Sequence, residues 1–397
     1  MNIAYPYAEF PALSTHKTWA EIDLGALRYN FRALCREICT EGCSPIAVVK
    51  ADAYGHGAAP CVRALLEEGC TCFAVSCIEE AIAVRAVCPP EAADVLILGY
   101  TLPEEVGLLA EYALTQTVFS HEYAEAISGA AAAADVRLRV HVKLDTGMNR
   151  LGFSTTPETL AHTVSAIESI AADPHLSLCG IFTHFARADE VDEAPIMAQY
   201  IRYTAVNDAL ESLGIKEGVL HHVCNSAASC RTDAYRLEAV RLGIMLYGVF
   251  PSPACVPLFP VSLKPVMRLC TRVAHLHTIP VGEFVGYGGL WSADTSRLIA
   301  TLPVGYADGF IRAFRGASVS VATKDGPREA PVVGNICMDQ CMLDVTGLNV
   351  AVGDVVTLFG DKPERLSALA ERAGTIEYEP LCLITGRVPR LYVDSQL

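Results

Sequence analysis

A lysine lies directly after the first apolar run that we interpret as a barrel strand, within the block AVVKADAYGHG at residues 47–57. Lys50 follows two valines that are expected to end a buried strand, where an ammonium group loses hydration and the neutral amine is favoured. A neutral amine can form a Schiff base with an aldehyde. However, a single lysine in such a place more often extends its charge to the solvent from the rim of a sheet. Lys50 alone therefore leaves both interpretations open.

Polar residues also follow the later apolar runs in the first two thirds of the chain. They would all lie at the carboxyl ends of strands, and they are Lys143, Arg150, His184, Ser226 and Arg241. Ser226 and the backbone N–H groups near Gly243 and Ile244 have the donors that bind a phosphate group. Each residue alone has an ordinary structural explanation. Together with Lys50 they match a phosphorylated aldehyde bound to a lysine, which is pyridoxal 5'-phosphate.

The elements that would position these residues alternate in type. Short apolar runs lie at residues 46–49, 72–76, 95–99, 115–119, 136–144, 178–182, 219–223 and 240–247. Segments with helical spacing lie before and between them, at residues 24–38, 61–68, 78–87, 104–113, 121–134, 159–171 and 195–213. This alternation predicts an α/β fold with a parallel sheet, and eight such units favour a (β/α)8 barrel. An open doubly wound sheet is the alternative, but its glycine-rich turn is missing after the first run.

The alternation of strand-like and helical segments ends at about residue 261. Strand-like runs follow at residues 266–279, 298–304, 317–323, 341–345 and 354–359. Turn signals such as Asp325-Gly326 and Gly347 separate them, and one helical pattern covers residues 364–373. We therefore predict two domains: a (β/α)8 barrel that binds pyridoxal phosphate at residues 1–260, and a mostly β C-terminal domain at residues 261–397.

Composition and charge exclude several classes of protein. Hydrophobic residues make up 52% of the 397 residues and charged residues 19%, which is typical of a folded protein. The formal net charge of −15, without a cluster of lysines and arginines, argues against a nucleic-acid partner. Residues 1–17 lack the pattern of a secretory signal, and no run of 18 apolar residues occurs. We expect a cytoplasmic protein without a membrane anchor.

The 16 cysteines do not form a recognisable metal-binding or disulfide pattern. Cys35, Cys39 and Cys43 would share one helix face, but no histidine lies near them to complete a zinc site. A chain of this length has no need of a disulfide scaffold. We expect reduced thiols that pack as small apolar side chains, and no metal site.

Three sequence blocks carry a family resemblance. Residues 47–57 are followed by GNICMDQ at residues 334–340 and by the stretch at Tyr378. The chain resembles the bacterial alanine racemases from residues 18–24, TWAEIDL, to residues 387–390, RVPR. The resemblance implies a TIM-barrel isomerase that interconverts L- and D-alanine with pyridoxal 5'-phosphate and supplies D-alanine for peptidoglycan.

The resemblance implies two catalytic residues on opposite faces of the substrate. Lys50 matches the lysine that holds the cofactor covalently and acts as one base. Tyr287, in the sequence VGYG, matches the second base, which the other subunit of a homodimer contributes. Arg241 matches the arginine that faces the pyridine nitrogen, and His184 matches the histidine that links this arginine towards the tyrosine. Because an arginine stays protonated, the ring nitrogen would remain unprotonated, which disfavours side reactions such as transamination.

The resemblance also implies the residues that bind the cofactor and the substrate. Those matching the phosphate-binding set are Tyr54, Ser226, Gly243, Ile244 and Tyr378. Arg150 matches an arginine near the phenolic oxygen and the substrate, and Lys143 matches a supporting lysine that is carbamylated in some members. Met338, from the partner subunit, would receive the substrate carboxylate through its backbone N–H. Positions at the substrate entrance are matched by Asp189, Tyr306, Asn335 and Ile376, with Asn335 in place of an arginine found in many relatives.

Three other functions remain open. A serine or broad-specificity amino-acid racemase would use the same residues, although the phenol of Tyr378 would crowd a β-substituent. A non-catalytic protein that handles free pyridoxal phosphate would resemble the barrel alone, so residues 261–397 and Tyr287 argue against it. A metal-dependent aldolase or decarboxylase on a related barrel would release glycine and an aldehyde, or carbon dioxide.

Overall fold

The computed structural model describes residues 16–39, 42–215 and 217–396. Residues 1–17 were expected to lack a secretory signal, and residues 1–15 of this segment lie outside the described residues. None of the helices in the described ranges is both long enough and apolar enough to cross a membrane.

The first two thirds of the chain alternate strands with helices, as the spacing predicts. The elements in chain order are β1 (Thr18–Asp23), α1 (Leu24–Ile38), β2 (Ser44–Val48), α2 (Lys50–Tyr54), α3 (Ala58–Glu67), β3 (Cys72–Val75), α4 (Ile78–Arg85), β4 (Asp94–Ile97), α5 (Val106–Glu111), β5 (Thr115–Val118), α6 (His121–Ala133), β6 (Leu138–Asp145), β7 (Phe153–Ser154), α7 (Leu160–Ala172), β8 (Leu176–Phe182), α8 (Ala194–Ser212), β9 (Leu220–His222), α9 (Ser226–Ser229) and β10 (Ala239–Leu242).

Strands then dominate the rest of the chain. In order, these elements are β11 (Met267–Arg272), β12 (His275–Ile279), β13 (Arg297–Leu302), β14 (Ser318–Thr323), β15 (Gly326–Val333), β16 (Cys341–Asp344), β17 (Val355–Phe359), α10 (Pro363–Ala373), α11 (Tyr378–Cys382) and β18 (Arg390–Val393). The prediction of a mostly β C-terminal region is confirmed.

The (β/α)8 barrel is confirmed as well. Eight parallel strands lie in the order β10-β2-β3-β4-β5-β6-β8-β9, and the short β7 pairs with β6. Arg241 N donates to Cys224 O at 3.0 Å, which joins β10 to the end of β9. Most barrel residues of β3, β4, β5 and β10 are buried, because both faces of a parallel sheet are covered in such a fold.

Two details differ from the sequence prediction. The eighth run was expected to be one strand over residues 240–247, but β10 ends at Leu242 and Ile244–Tyr247 forms a 3-10 turn. Gly243, with φ −115° and ψ −105°, takes the chain out of the extended conformation. Residues 266–279 form two strands instead of one, β11 and β12.

Contacts divide the chain into two compact units. The barrel unit comprises Leu27–Ala53 and Ala58–Leu263, and the second unit comprises the described residues up to Ala26, Tyr54–Gly57 and the described residues from Lys264 onwards. The second unit contains a nine-stranded sheet in the order β12-β13-β16-β15-β14-β17-β11-β1-β18. The first strand, β1, belongs to this sheet because it pairs with β11 and with β18. The division into domains 1–260 and 261–397 stays a prediction.

A nearly buried arginine joins helix α10 to the hairpin β14–β15 in the second unit. The side chain of Arg365 is 6% exposed, and it lies 2.8 Å from Glu329 Oε1 and 2.8 Å from Asp361 Oδ1. It also donates to Ser318 O at 2.7 Å. The hydrogen bonds from Arg365 are the main reason why the pKa of Glu329 is lowered to about 2.

This ion pair predicts a pH-dependent loss of stability in the variant Glu329→Gln. The carboxylate stabilises the fold above its unfolded-state pKa, and this contribution is lost as pH falls towards 2. Because Glu329 is 49% exposed, we expect a loss of about 1 kcal/mol at pH 7. Urea unfolding from pH 7 to pH 3 should show the difference from the parent shrinking below about pH 4.5. The exposed Glu364→Gln is the control, and an equal pH-independent loss in both variants would contradict the assignment.

Candidate active site

Lys50 begins a left-handed turn at the end of β2. Ala51, Asp52 and Ala53 have φ values of 52°, 53° and 55°, which non-glycine residues seldom adopt. Two carboxylates hold the turn: Asp52 Oδ1 accepts from Ala58 N at 2.7 Å, and Glu80 Oε1 accepts from Ala51 N at 2.7 Å. Such strain persists where the surroundings enforce it, and it concentrates at functional sites. The turn fixes the backbone from which the half-buried Lys50 extends.

Arg241 on β10 is buried and surrounded by neutral acceptors. One terminal nitrogen donates to His222 Nδ1 at 2.7 Å and to His222 O at 2.8 Å. The other donates to Thr183 O at 2.7 Å and Val223 O at 3.0 Å. Across the described ranges the guanidinium has no carboxylate partner, and burial lowers the pKa of Arg241 to about 10. It is still charged at neutral pH.

A chain of hydrogen bonds leads from Arg241 into the barrel through two histidines that the sequence analysis did not identify. Because Arg241 donates to Nδ1 of His222, the proton of that ring lies on Nε2. His222 Nε2 lies 3.0 Å from His141 Nδ1, so the second ring accepts in turn. Burial first, and then the charge of Arg241, lowers the pKa of His222 well below its usual value. Burial also lowers the pKa of His141 to about 3, and both rings are neutral.

His184 lies beside Arg241, as the resemblance implies. Its Nδ1 is 3.3 Å from an Arg241 terminal nitrogen, and its Nε2 is 3.3 Å from Asn225 Nδ2. Burial, followed by the charge of Arg241, lowers the pKa of His184 well below its usual value. A neutral imidazole has one lone pair, so it accepts a hydrogen bond from only one of these donors.

Lys143 lies in a cluster of positive charge. Its ammonium nitrogen is 6.0 Å from the centre of the Phe182 ring. Burial is the main cause that lowers the pKa of Lys143 to about 8; the charges of Arg150, Arg241 and Lys50 contribute to this shift, whereas the charge of Asp145 opposes it. The four cations of this cluster suit an anionic ligand.

Two of the loops that carry predicted ligand-binding residues are built by local hydrogen bonds. Asp145 Oδ1 accepts from the backbone N–H groups of residues 147, 148 and 149, which shapes the loop ahead of the exposed Arg150. Ser226, at the start of α9, accepts from Gly243 N at 2.8 Å. The structure therefore brings Ser226 and Gly243 together, and Ile244 follows as a buried residue.

The second unit carries the predicted tyrosines. Tyr287 is 73% exposed, on a turn in which Gly286, Gly288 and Gly289 have positive φ values of 72°, 79° and 55°. Asn335 Nδ2 donates to Tyr287 O at 2.7 Å, and Asn335 Oδ1 accepts from Arg315 at 3.3 Å. Asn335, predicted at the substrate entrance, is buried and braces this turn.

The remaining predicted residues of the second unit fall into two groups. The rings of Tyr54 and Tyr378 lie 6.1 Å apart, and burial raises the pKa of Tyr54. Met338, Tyr306 and Ile376 are exposed. A cleft of about 320 Å³ lies beside Tyr287, and its lining includes His277, Phe284, Cys337 and Met342.

No group of three or more histidine, cysteine or acidic side chains with metal-binding geometry occurs in the ranges that the structure covers. Cys35, Cys39 and Cys43 are free thiols. A hydrogen bond with Cys35 is the main cause that raises the pKa of Cys39 to about 12. The pKa of Cys43 is raised as well, so the thiols of Cys39 and Cys43 are protonated at neutral pH, in which form they are poor metal ligands.

Comparisons with known proteins cover nearly all of the chain. The model of the alanine racemase N-terminal domain matches residues 22–251, and that of the alanine racemase C-terminal domain matches residues 266–392. An alanine racemase of Desulfovibrio desulfuricans is 42% identical over 378 residues, covering 95% of this chain and 98% of that protein. The structure of an alanine racemase of Clostridium difficile is similar with a TM-score of 0.87 and 36% identity, covering 96% of this chain and 97% of that one. The alanine racemase of Bacillus anthracis with bound L-Ala-P has a TM-score of 0.88 and 32% identity, covering 98% and 97%.

The lowered pKa of Lys143 predicts an unusual lysine titration. An ordinary lysine loses its proton near pH 10.4, whereas Lys143 is expected to do so near pH 8. An NMR titration of protein with isotope-labelled lysine side chains should show one resonance that shifts with a midpoint near 8. That resonance should be missing from Lys143→Met and present in the control Lys324→Met, whose parent residue is exposed. A spectrum in which every lysine titrates above pH 9.5 would refute the lowered value.

Proposed function

The chain belongs to the alanine racemase family, and we propose that it interconverts L-alanine and D-alanine by a two-base reaction that uses pyridoxal 5'-phosphate. It is an amino-acid racemase, an isomerase, by its similarity to curated alanine racemases over 95% of its length. The observation that carries the proposed reaction is the position of Lys50 at the end of a barrel strand, in one cluster of positive charge with Lys143, Arg150 and Arg241.

The residues of the barrel unit fit a phosphorylated aldehyde. Lys50 supplies an amine, and the surplus of positive charge around Lys143 and Arg241 complements a dianionic phosphate and a carboxylate. Because Ser226 Oγ accepts from the N–H of Gly243, the Ser226 hydroxyl would donate its hydrogen to a phosphate oxygen. When bound, pyridoxal phosphate draws electrons from the α-carbon of an amino acid, so that the α-proton can be removed.

Two residues of this chain would move the proton. Racemisation takes a proton from one face of the α-carbon and returns one to the other, so a base is needed on each side. Lys50 acts on one face. Tyr287, whose exposed phenol lies on the glycine-rich turn braced by Asn335, acts on the other after insertion into the partner subunit's site. The proposed active form is therefore a homodimer with shared active sites.

Arg241 would restrict the chemistry to proton exchange. Its guanidinium is held by backbone carbonyls and neutral histidines, and it remains a cation at neutral pH. A cation that donates to the pyridine nitrogen leaves this nitrogen unprotonated and limits how far the ring accepts electrons. His184 would extend the hydrogen bonds of Arg241 towards Tyr287.

The substrate and the biological role complete the proposal. The charge of Arg150 and the backbone N–H of Met338 would bind the carboxylate of alanine, and the phenol of Tyr378 would exclude larger side chains. Lys143, neutral in part near pH 8, has the amine that a carbamate requires. We place the enzyme in the cytoplasm, where D-alanine is made for peptidoglycan. That an alanine racemase of Bacillus anthracis holds L-Ala-P supports alanine as the substrate.

Lys50→Ala tests the cofactor assignment. The variant should lose both the visible absorbance of the bound cofactor and alanine racemisation, because the amine that holds the aldehyde is gone. Borohydride treatment of the parent should fix the cofactor to the peptide that contains residue 50, as read by mass spectrometry. Lys324→Ala, at an exposed turn, should keep the absorbance and the activity. A parent protein that takes up no pyridoxal phosphate when supplied would refute the proposed function.

Tyr287→Phe tests the second base. This variant should keep the absorbance of the cofactor but lose at least about 100-fold in kcat/KM, chiefly for L-alanine, because the ring can no longer exchange a proton. Tyr392→Phe, a tyrosine on β18 outside the proposed site, is the control. Near-parental activity of Tyr287→Phe would show that the two-base scheme is wrong.

Mixed dimers test whether the sites are shared. Lys50→Ala and Tyr287→Phe are each inactive, but a mixed dimer has one site in which both residues are intact. Random pairing of co-expressed chains should restore about a quarter of the parental activity, since half of the dimers carry one intact site of two. No recovery in mixed dimers would place both residues of each site on the same chain.

A further inference from the structure

Tyr54, which the family resemblance assigns to the cofactor phosphate, closes the left-handed turn that begins at Lys50. Its φ value is 53°, and its side chain is buried, with 7% exposed. Burial raises the pKa of the phenol, which therefore keeps its proton and can donate a hydrogen bond to an anion. A tyrosine seldom adopts a positive φ, so contacts from elsewhere in the fold have to hold this backbone.

Arg390 on β18 makes one of these contacts. Its Nε donates to Gly55 O, next to Tyr54 in the chain, at 3.0 Å. Its two terminal nitrogens donate to three carbonyl groups that follow α11, those of Ile384 at 2.6 Å, Thr385 at 2.7 Å and Val388 at 2.8 Å. Helix α11 begins with Tyr378, the other tyrosine of the predicted phosphate-binding set. One guanidinium therefore joins the backbone beside Tyr54 to the segment after the helix that carries Tyr378.

A guanidinium is suited to this arrangement by its shape. It presents several N–H donors in a rigid plane, whereas the single ammonium group of a lysine cannot span acceptors in two separate segments. Arg390 also extends from a strand that is itself anchored, since β18 pairs with β1 and Ala20 N donates to Pro389 O at 2.9 Å. The side chain that holds the two segments thus has a fixed origin in the nine-stranded sheet.

Two further contacts hold the same short segment. The ring of the buried His56 lies with Nδ1 3.0 Å from Tyr54 O, so this nitrogen carries the proton and donates it. Gly55 has a φ of +81°, and a Cβ atom at this position would lie 2.4 Å from Leu381 O. The two consecutive carbonyl groups of Tyr54 and Gly55 therefore each accept from a side chain. These contacts fix the backbone of Tyr54, whose ring lies 6.1 Å from that of Tyr378.

We propose that Arg390 is a positioning residue for the cofactor: it holds residues 54–57 against the segment after α11 and so presents the phenol of Tyr54, beside that of Tyr378, to the phosphate group. This inference rests on the proposed function, which supplies pyridoxal 5'-phosphate as the ligand. Arg390 acts through the backbone of Gly55 and Tyr54. Its loss should therefore weaken the binding of the phosphate group and leave the reaction of Lys50 with the aldehyde in place.

Arg268 provides a matched comparison. It lies on β11, which pairs with β1 on the edge opposite to β18, and it forms an ion pair with Glu21. Its side chain is 45% exposed. Substitution of either arginine by lysine keeps the net charge, so a difference between Arg390→Lys and Arg268→Lys reports the loss of the bonds to the carbonyl groups.

Hydrogen exchange tests the positioning without any cofactor or catalysed reaction. In the cofactor-free protein, Arg390→Lys should increase the rate of amide exchange across residues 51–57 by about tenfold or more, because this backbone opens more often once Gly55 O has lost its donor. Arg268→Lys should leave the rate within about twofold of the parent. Equal exchange in the two variants would overturn the positioning role.

A comparison of pyridoxal 5'-phosphate with pyridoxal, which lacks the phosphate, separates positioning from a general loss of structure. The cofactor-free protein is titrated with each aldehyde, and binding is followed by the visible absorbance. Arg390→Lys should lower the affinity for pyridoxal phosphate by about fivefold and that for pyridoxal by less than about twofold. Arg268→Lys should change neither affinity. An equal loss for both aldehydes in Arg390→Lys would show that Arg390 only stabilises the fold, which would overturn the proposal.

A double-mutant cycle shows whether Arg390 acts through Tyr54. Tyr54→Phe should lower the affinity for pyridoxal phosphate by about tenfold, the size of one hydrogen bond to a charged group. Arg390→Lys added to Tyr54→Phe should lower it by less than about twofold more, since the hydroxyl that Arg390 positions is already gone. Two losses that multiply in the double variant would contradict the proposal.

The outcomes separate this inference from the proposed function. If Arg390→Lys does not fold, Gly55→Ala displaces the same backbone, because its Cβ would meet Leu381 O, and it takes the place of Arg390→Lys in these measurements. A parent protein that takes up no pyridoxal phosphate would overturn the proposed function, whereas the exchange measurement would still decide whether Arg390 holds residues 54–57. Uptake of the cofactor by the parent, with unchanged affinity in Arg390→Lys, would overturn this inference alone.

Discussion

The buried guanidinium of Arg241 is the interaction on which the barrel unit depends. It extends from β10 to carbonyl groups at or just after the ends of β8 and β9, those of Thr183, His222 and Val223. Removal of this one side chain would leave several buried acceptors without donors, and each would cost about 1–3 kcal/mol. The same side chain therefore helps to close the barrel and brings a positive charge to its carboxyl end. Arg241 therefore contributes both to the fold of the barrel unit and to the candidate active site.

Arg241 has no carboxylate partner within the described ranges, and its charge acts on its neighbours. Burial is the main reason why His222, His141 and His184 are neutral, and the charge of Arg241 acts in the same direction. Its charge also contributes to the lowered pKa of Lys143. The positive charges of such a site repel one another. An anionic ligand reduces this repulsion when it binds. The phosphate of the proposed cofactor and the carboxylate of the proposed substrate are anions of this kind.

Sequence periodicity was sufficient for the barrel but not for every strand outside it. All eight parallel strands have buried, β-branched runs that repeat with helices between them, and this pattern depends on local sequence. Strand β1, Thr18–Asp23, was missed because its partners in the sheet, β11 and β18, lie more than 200 residues away along the chain. Strand β15 was missed because Gly326–Val333 contains two prolines and two charged residues, which resemble a loop.

The site residues also divide into those that the sequence predicted and those that it did not. Lys50, Arg241 and His184 were identified because they follow apolar runs or lie in blocks of the family. His141 and His222 lie inside strands and carry no separate sequence signal, although His141 lies two residues before Lys143 and thus shares its face of β6. The left-handed turn after Lys50 leaves no local sequence signal, since Ala51 and Ala53 have no preference for positive φ. Its supports, Asp52 and Glu80, become evident only when the chain is folded.

Asn335 shows how a departure from the family can be understood from its contacts. The amide donates to the backbone of Tyr287 and accepts from Arg315, so both of its polar atoms are used in bracing the turn that carries the proposed base. An arginine at this position would have donors only and could not accept from Arg315. Two guanidinium groups at this distance would instead repel each other. An asparagine at 335 is therefore compatible with an arginine at 315, and the positive charge of this region is carried by Arg315.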